Sequence, residues 1–199
     1  ICGMINRFDD AFAQIPFLNQ GEYIEYMFAC VNMAMDAHLS QMKRVFATGQ
    51  GGYKNVLYPD LETAADICAE RISGFQRMGG TPSGNQGAGE DDEFPEDLLA
   101  LFDDFSEDAA PQEEARPMTA AACMDAIARR AEKTIEAGIP LPFYELCRTL
   151  EMDSFAMFCF AAGILASTQT DYAGVFQVIN ESGGLSAPTI ESAAKLYFG

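Results

Sequence analysis

The sequence predicts an all-α fold, a multi-helix orthogonal bundle interrupted by an acidic flexible linker. Three observations carry this prediction. Apolar residues recur at three- and four-residue spacing over most of the chain, which lines one face of a helix. The prolines and the Gly-Gly pairs fall at the ends of these periodic stretches rather than inside them. No segment of useful length alternates apolar and polar residues as a half-buried strand would; Tyr53–Tyr58 is the one β-like stretch, and it is short.

Taken in order, Ile5, Phe8, Phe12 and Ile15 hold helical spacing until Pro16 closes the segment. Asn19 precedes Glu22 by three residues, the arrangement of a capping box opening a long helix. Along that helix Ile24, Met27, Phe28, Val31, Met35, Leu39, Met42 and Phe46 form one stripe, and Gly49 is the expected stop. After the Gln50-Gly51-Gly52 loop, Asp60 can cap a second helix with Leu61, Ala65, Cys68, Ile72 and Phe75 on one face. Gly79, Gly80 and Pro82 end it. Thr119 is the expected cap of a helix carrying Cys123, Ile127, Ala131 and Ile135, stopped by Gly138. Pro140 and Pro142 frame the turn into Phe143–Leu150. Asp153 or Ser154 caps Phe155–Ala166, which is apolar all round and should therefore be the most buried element, with Phe155, Phe158 and Leu165 innermost. Tyr172, Val175, Phe176 and Ile179 make a short helix before the Gly183-Gly184 loop. Pro188 and Thr189 open a last helix with Ile190, Ala194 and Tyr197.

Between Gly79 and Ala115 the character changes. The stretch has no Lys or Arg, yet holds 12 of the chain's 30 acids. Thr81 to Gly89 has the composition of a flexible linker. Within the stretch, Pro95 suits a first helical position, and Leu98, Leu101, Phe102 and Phe105 share a helical face. These four are the candidate partner-binding residues, an acidic amphipathic peptide in a disordered setting. The expected organisation is an N-terminal helical segment (1–80), the acidic linker with its short helix (81–116), and a C-terminal helical domain (117–199).

Charge excludes several function classes. The formal net charge is −18, and no Lys/Arg cluster exists to displace counterions from DNA or RNA, so nucleic acid is not an expected ligand. Anionic lipid is disfavoured for the same reason. A basic protein surface is the better electrostatic partner. The longest apolar run, Phe155 to Ala166, has 12 residues, short of the about 20 that span a bilayer. With no leader-like start, a cytoplasmic location is expected. The six cysteines are widely spaced without a CxxC pair and read as buried free thiols. Residue 1 is isoleucine, and Leu196-Tyr197-Phe198-Gly199 ends on bulky apolar groups, so the chain is expected to be a piece of a longer protein.

No catalytic, cofactor or metal residue is expected. His38 is the single histidine; it lies beside the apolar stripe, and Asp36 points to another side of the helix, so a structural role fits it best. One histidine without clustered cysteines cannot make a zinc site. Glu90-Asp91-Asp92-Glu93 lacks the alternating ligands and central glycine of a calcium loop. Gly79 to Gly84 has no Lys-Ser/Thr ending, and Pro82 removes an N–H that a phosphate nest needs. GxSxG turns are absent. Met27, Met35 and Met42 sit at core spacing.

Leu141 to Leu196 resembles the N-terminal, helical, winged-helix-associated region of a family of bacterial AAA ATPases. The residues that carry the resemblance are Leu141, Leu146 and Leu150; Ser154-Phe155; the aliphatic run Phe158 to Ala166; and Asp171-Tyr172. Phe176, Ile179, Asn180 and Glu181 follow, then Pro188-Thr189-Ile190 with Ala193, Ala194 and Leu196. The pattern departs at Ala156, where the family has an acid, and at Thr168-Gln169-Thr170, where it has Pro-Glu. The resemblance implies a non-catalytic accessory domain of a larger AAA-type ATPase, with the Walker motifs beyond residue 199. The partners implied are recruited proteins or the ATPase module of the same chain, with any oligomer formed through the parent. A free-standing acidic helical adaptor is the alternative.

Overall fold

The computed structural model describes residues 12–47, 61–78 and 119–199. Seven α-helices account for most of them: α1 (Gln20–Ala47), α2 (Leu61–Met78), α3 (Ala120–Glu136), α4 (Pro142–Thr149), α5 (Ser154–Thr168), α6 (Tyr172–Ile179) and α7 (Ile190–Phe198). Among the described residues there is no strand. The bundle is all-α, as the periodicity predicts.

The organising element is α1. Its 28 residues extend about 42 Å at 1.5 Å each, long enough to pack against α2, α3, α5, α6 and α7. Met27, Val31, Met35 and Leu39 of its predicted stripe are buried, and Ile24, Phe28 and Met42 pack at the margin. The stripe meets Ala65 and Cys68 of α2, Cys123, Ile127 and Ala131 of α3, and Phe158 and Leu165 of α5 in one apolar core. All described residues belong to one compact unit, which joins 12–78 to 119–199.

Local chemistry sets the helix ends. Thr119 caps α3 by accepting from the Ala122 N–H at 3.2 Å, and Asp153 caps α5 by accepting from Ala156 at 2.7 Å. Thr189 and Ser192 form a full capping box on α7. At the start of α1 the box is shifted. Asn19 Oδ1 accepts from the Glu22 N–H, but the Glu22 carboxylate reaches back to the Leu18 N–H rather than to that of Asn19. At the end of α3, Gly138 sits at φ 82°, which glycine adopts without steric cost. The Gly138 and Ile139 amides donate to Ile135 and Thr134, closing a Schellman motif. The same motif ends α4 at Glu151 and α6 at Glu181, both at φ 52° and both strained for a residue with a Cβ.

Four expectations need correction. The described part of the first periodic segment is one 3-10 turn, Phe12–Gln14, and Ile15 is exposed while Phe17, beyond the proline, is fully buried. Pro16 redirects the chain so that Phe17, not Ile15, enters the core. The apolar α5 is not buried all round: Phe158 and Leu165 are innermost, but Phe155 is half-buried against Tyr197 and Phe198, and Phe160 is 47 % exposed. Seven helices around one core leave α5 a face at the surface, where Phe160 stacks on Phe143. Ile190 is exposed because it occupies the first turn of α7 on its outer side. Ile135 is only partly buried, since Arg130 and Thr134 take the core-facing positions at that end of α3.

Candidate functional site

Leu98, Leu101, Phe102 and Phe105, the partner-binding residues expected from sequence, lie outside the described residues, as do Gly49, Asp60 and Tyr53–Tyr58. His38 is half-buried on α1. Desolvation is the main cause that holds its pKa below 6.5, with Lys195 adding to the effect and Glu181 opposing it. No group of three potential metal-ligating side chains exists among the described residues.

The cysteines are tuned away from reactivity. All five described cysteines are free, and four are buried. Burial pushes the Cys68 thiol up to about 12, and Cys30 is also raised, first through its contact with Cys123 and then by burial. Reactive cysteines are shifted in the opposite direction.

Two polar constellations were not expected from sequence. In the first, Arg130 is buried with its guanidinium inside an aromatic cage, 4.1 Å from the Phe17 ring centre, 4.6 Å from Phe12 and 4.9 Å from Tyr26. Its Nε donates to the Ile15 carbonyl at 2.6 Å, and its Nη2 pairs with Glu22 at 2.8 Å. Next to it Thr134 Oγ1 accepts from the Phe17 N–H at 2.8 Å and donates to the Arg130 carbonyl at 2.7 Å. Every strong contact is internal, so this is a clamp holding residues 12–22 on α3. The readable signal was position. Arg130 falls three residues after Ile127 and four before Thr134, on the core face, although the Arg129-Arg130 pair looks like a solvated edge.

The second constellation is a cleft of about 250 Å3 bounded by α1, α2, the end of α5 and the start of α6. On its floor the Tyr172 hydroxyl donates to Asn32 Oδ1 at 2.6 Å, while Asn32 Nδ2 donates back to the Phe28 carbonyl. Burial raises the Tyr172 pKa to about 12, so the phenol stays neutral with lone pairs left to accept. Glu25 and Glu70 stand on its walls, and Arg71 is drawn to Asp171 at 3.3 Å. Gln169 lines it too, and its Oε1 is buried with no hydrogen-bond donor among the described residues. Of the two constellations, only the cleft offers unused polar capacity.

Fold and cleft together define a small helical domain with a polar-lined cleft between α1, α2, α5 and α6. The chain belongs to the winged helix domain, variant family, whose model matches residues 7–199. No curated protein and no solved structure matches it.

Proposed function

We propose that this winged-helix variant is a non-catalytic recruiting or regulatory domain, and that it serves as the N-terminal accessory domain of a larger AAA-type ATPase. The observation that carries the ATPase reading is the resemblance of Leu141–Leu196 to AAA-linked regions, and the family match across residues 7–199 supports a helical winged-helix domain without naming an ATPase. The shared residues have identifiable work in the fold. Asp171-Tyr172 opens α6 and sends the tyrosine hydroxyl to Asn32. Asn180 Nδ2 holds the Leu185 and Ala187 carbonyls, and Pro188-Thr189 opens α7 with its capping box. The raised thiols of Cys30 and Cys68 and the lowered basicity of His38 support a non-catalytic role for those groups.

A charge of −18 favours basic protein surfaces over nucleic acid as partners. Among the described residues no helix is long and apolar enough to cross a membrane, and the cytoplasm is the compartment proposed. Any oligomer would form through the ATPase ring.

The test is the coding sequence that follows Gly199. A strand, a GxxxxGK[ST] loop and a helix in the downstream reading frame is the expected result. A stop codon would overturn the ATPase assignment and leave the free-standing acidic adaptor.

A further inference from the structure

We infer that the corner made by α4 and α5 docks a basic amphipathic helix of a protein partner. The apolar face of that helix covers Phe143, Leu146, Leu150 and Phe160, and its cations meet the acids beside them. The inference rests on the recruiting role proposed above but not on the ATPase link, so a stop codon after Gly199 leaves it standing.

The bundle builds this apolar surface and leaves it open. On α4, Phe143, Leu146 and Leu150 recur at three- and four-residue spacing, a stripe beside the core positions Tyr144 and Cys147. Leu146 and Phe160 are about half exposed, and Leu150 more so. The stripe continues onto α5 through Phe143, whose ring stacks on that of Phe160 at 5.4 Å between centres. Phe160 is therefore an aromatic anchor fixed in place before any partner arrives. One turn away on either side of it stand the small residues Ala156 and Gly163, and a Cβ at Gly163 would meet nothing within 4 Å. Low ground around a fixed ring lets a second helix approach closely. Single exposed apolar residues are ordinary, but four joined across two consecutive helices form the contiguous kind of patch that marks an interface.

Charge selects the occupant. Residues 142–168 carry three acids, Glu145, Glu151 and Asp153, all exposed, against one base, Arg148. Arg148 is two positions from both Leu146 and Leu150, which puts it on the opposite side of α4, where it and Glu132 both act on Tyr144. The α5 helix has no charged side chain, so nothing along it repels an apolar face. A second copy would bring the same acids against these, and a charge of −18 on each chain counts against that pairing. Anionic lipid and nucleic acid meet the same repulsion. A helix with apolar anchors at i, i+3, i+4 and i+7 and lysine or arginine on its flanks complements both the stripe and the acids.

The experiment titrates the full 199-residue chain with three blocked peptides of about 18 residues, long enough to form a helix when bound. One places leucines on a single helical face with lysine elsewhere, the second replaces every lysine by glutamate, and the third scrambles the lysine peptide. Amide chemical shifts map the contact, and sedimentation of the free chain gives its oligomeric state. The expected result is a monomer with saturable shifts centred on α4 and α5, and a lysine peptide at least about tenfold tighter than either control. The double variant Leu146→Gln/Leu150→Gln, both surface positions, should keep its amide spectrum and lose at least about tenfold in affinity. Glu145→Gln/Glu151→Gln should weaken the lysine peptide several-fold at low salt and less at high salt. Equal binding of the scrambled peptide would overturn the inference. So would shifts spread over the acidic surface and unchanged in the leucine variant. A free chain that dimerises, and no longer does so in the leucine variant, would also overturn it, because a second copy would then cover the corner.

Discussion

Two arginines bridge distant parts of this chain, and they do so in opposite ways. Arg130 on α3 reaches residues more than 100 positions away, with 6 % of its side chain exposed and Glu22 at 22 %. Arg71 on α2 reaches Asp171 across a similar sequence distance, but the pair is about half exposed at 46 % and 56 %. One guanidinium is enclosed by three rings and two carbonyls; the other lies beside a cleft with an unfilled acceptor. A buried charge is fixed in place because leaving it unpaired is costly, whereas an exposed pair contributes little and can exchange partners. The clamp therefore belongs to folding, whereas the Arg71 pair beside the cleft adds little to it.

The largest expected effect is at the clamp. Arg130→Met strands the Glu22 carboxylate and the Ile15 carbonyl, and should cost about 3–5 kcal/mol, the usual range for breaking a buried pair. Urea denaturation measures it; a loss under about 1 kcal/mol would mean that residues 12–22 are held by apolar packing alone. Thr134→Val comes next. It leaves the buried Phe17 N–H without an acceptor and should cost about 1–3 kcal/mol in the same assay.

How much of this was legible in the sequence follows from the same two regions. The apolar stripe of α1, the caps Thr119, Asp153 and Thr189, and the Gly138 stop were all readable, because each depends on neighbours within one helical turn. The clamp and the cleft were not, because their partners are brought together by the fold. Arg130 and Ile15 are 115 residues apart, and Asn32 and Tyr172 are 140 apart. Glu151 and Glu181 were missed for a different reason: the Schellman geometry selects glycine, and a glutamate there gives no sign of a positive φ. Phe155 and Phe160 show the limit of reading burial from composition, since an all-apolar helix still presents a face to solvent when its neighbours do not surround it.

A smaller effect, in pH, separates α1 from both regions. The folded-state pKa of His38 is held below 6.5, chiefly by desolvation, so its contribution to stability is fully present above 6.5. It is lost as pH falls from 6.5 towards the folded value, where the unfolded chain binds a proton that the folded chain resists. Asp36, raised chiefly by burial, acts with the opposite sign in the acid range above 3.8. Melting between pH 7 and pH 5.5 should therefore fall more steeply in the parent chain than in His38→Gln. Parallel slopes would show that the imidazole is solvated.

The smallest effect is at the cleft rim, where Arg71→Ala should change stability by no more than about 1 kcal/mol.

The central claim, that one arginine closes the fold while the other makes an exposed pair of little weight in it, is tested most directly by two parallel double-mutant cycles in urea. One cycle pairs Arg130→Met with Glu22→Gln, the other Arg71→Ala with Asp171→Asn. The account predicts a coupling of about 2 kcal/mol or more for the first pair, as for interactions buried in one network, and less than about 0.5 kcal/mol for the second. Equal couplings, or a larger one at Arg71, would contradict it.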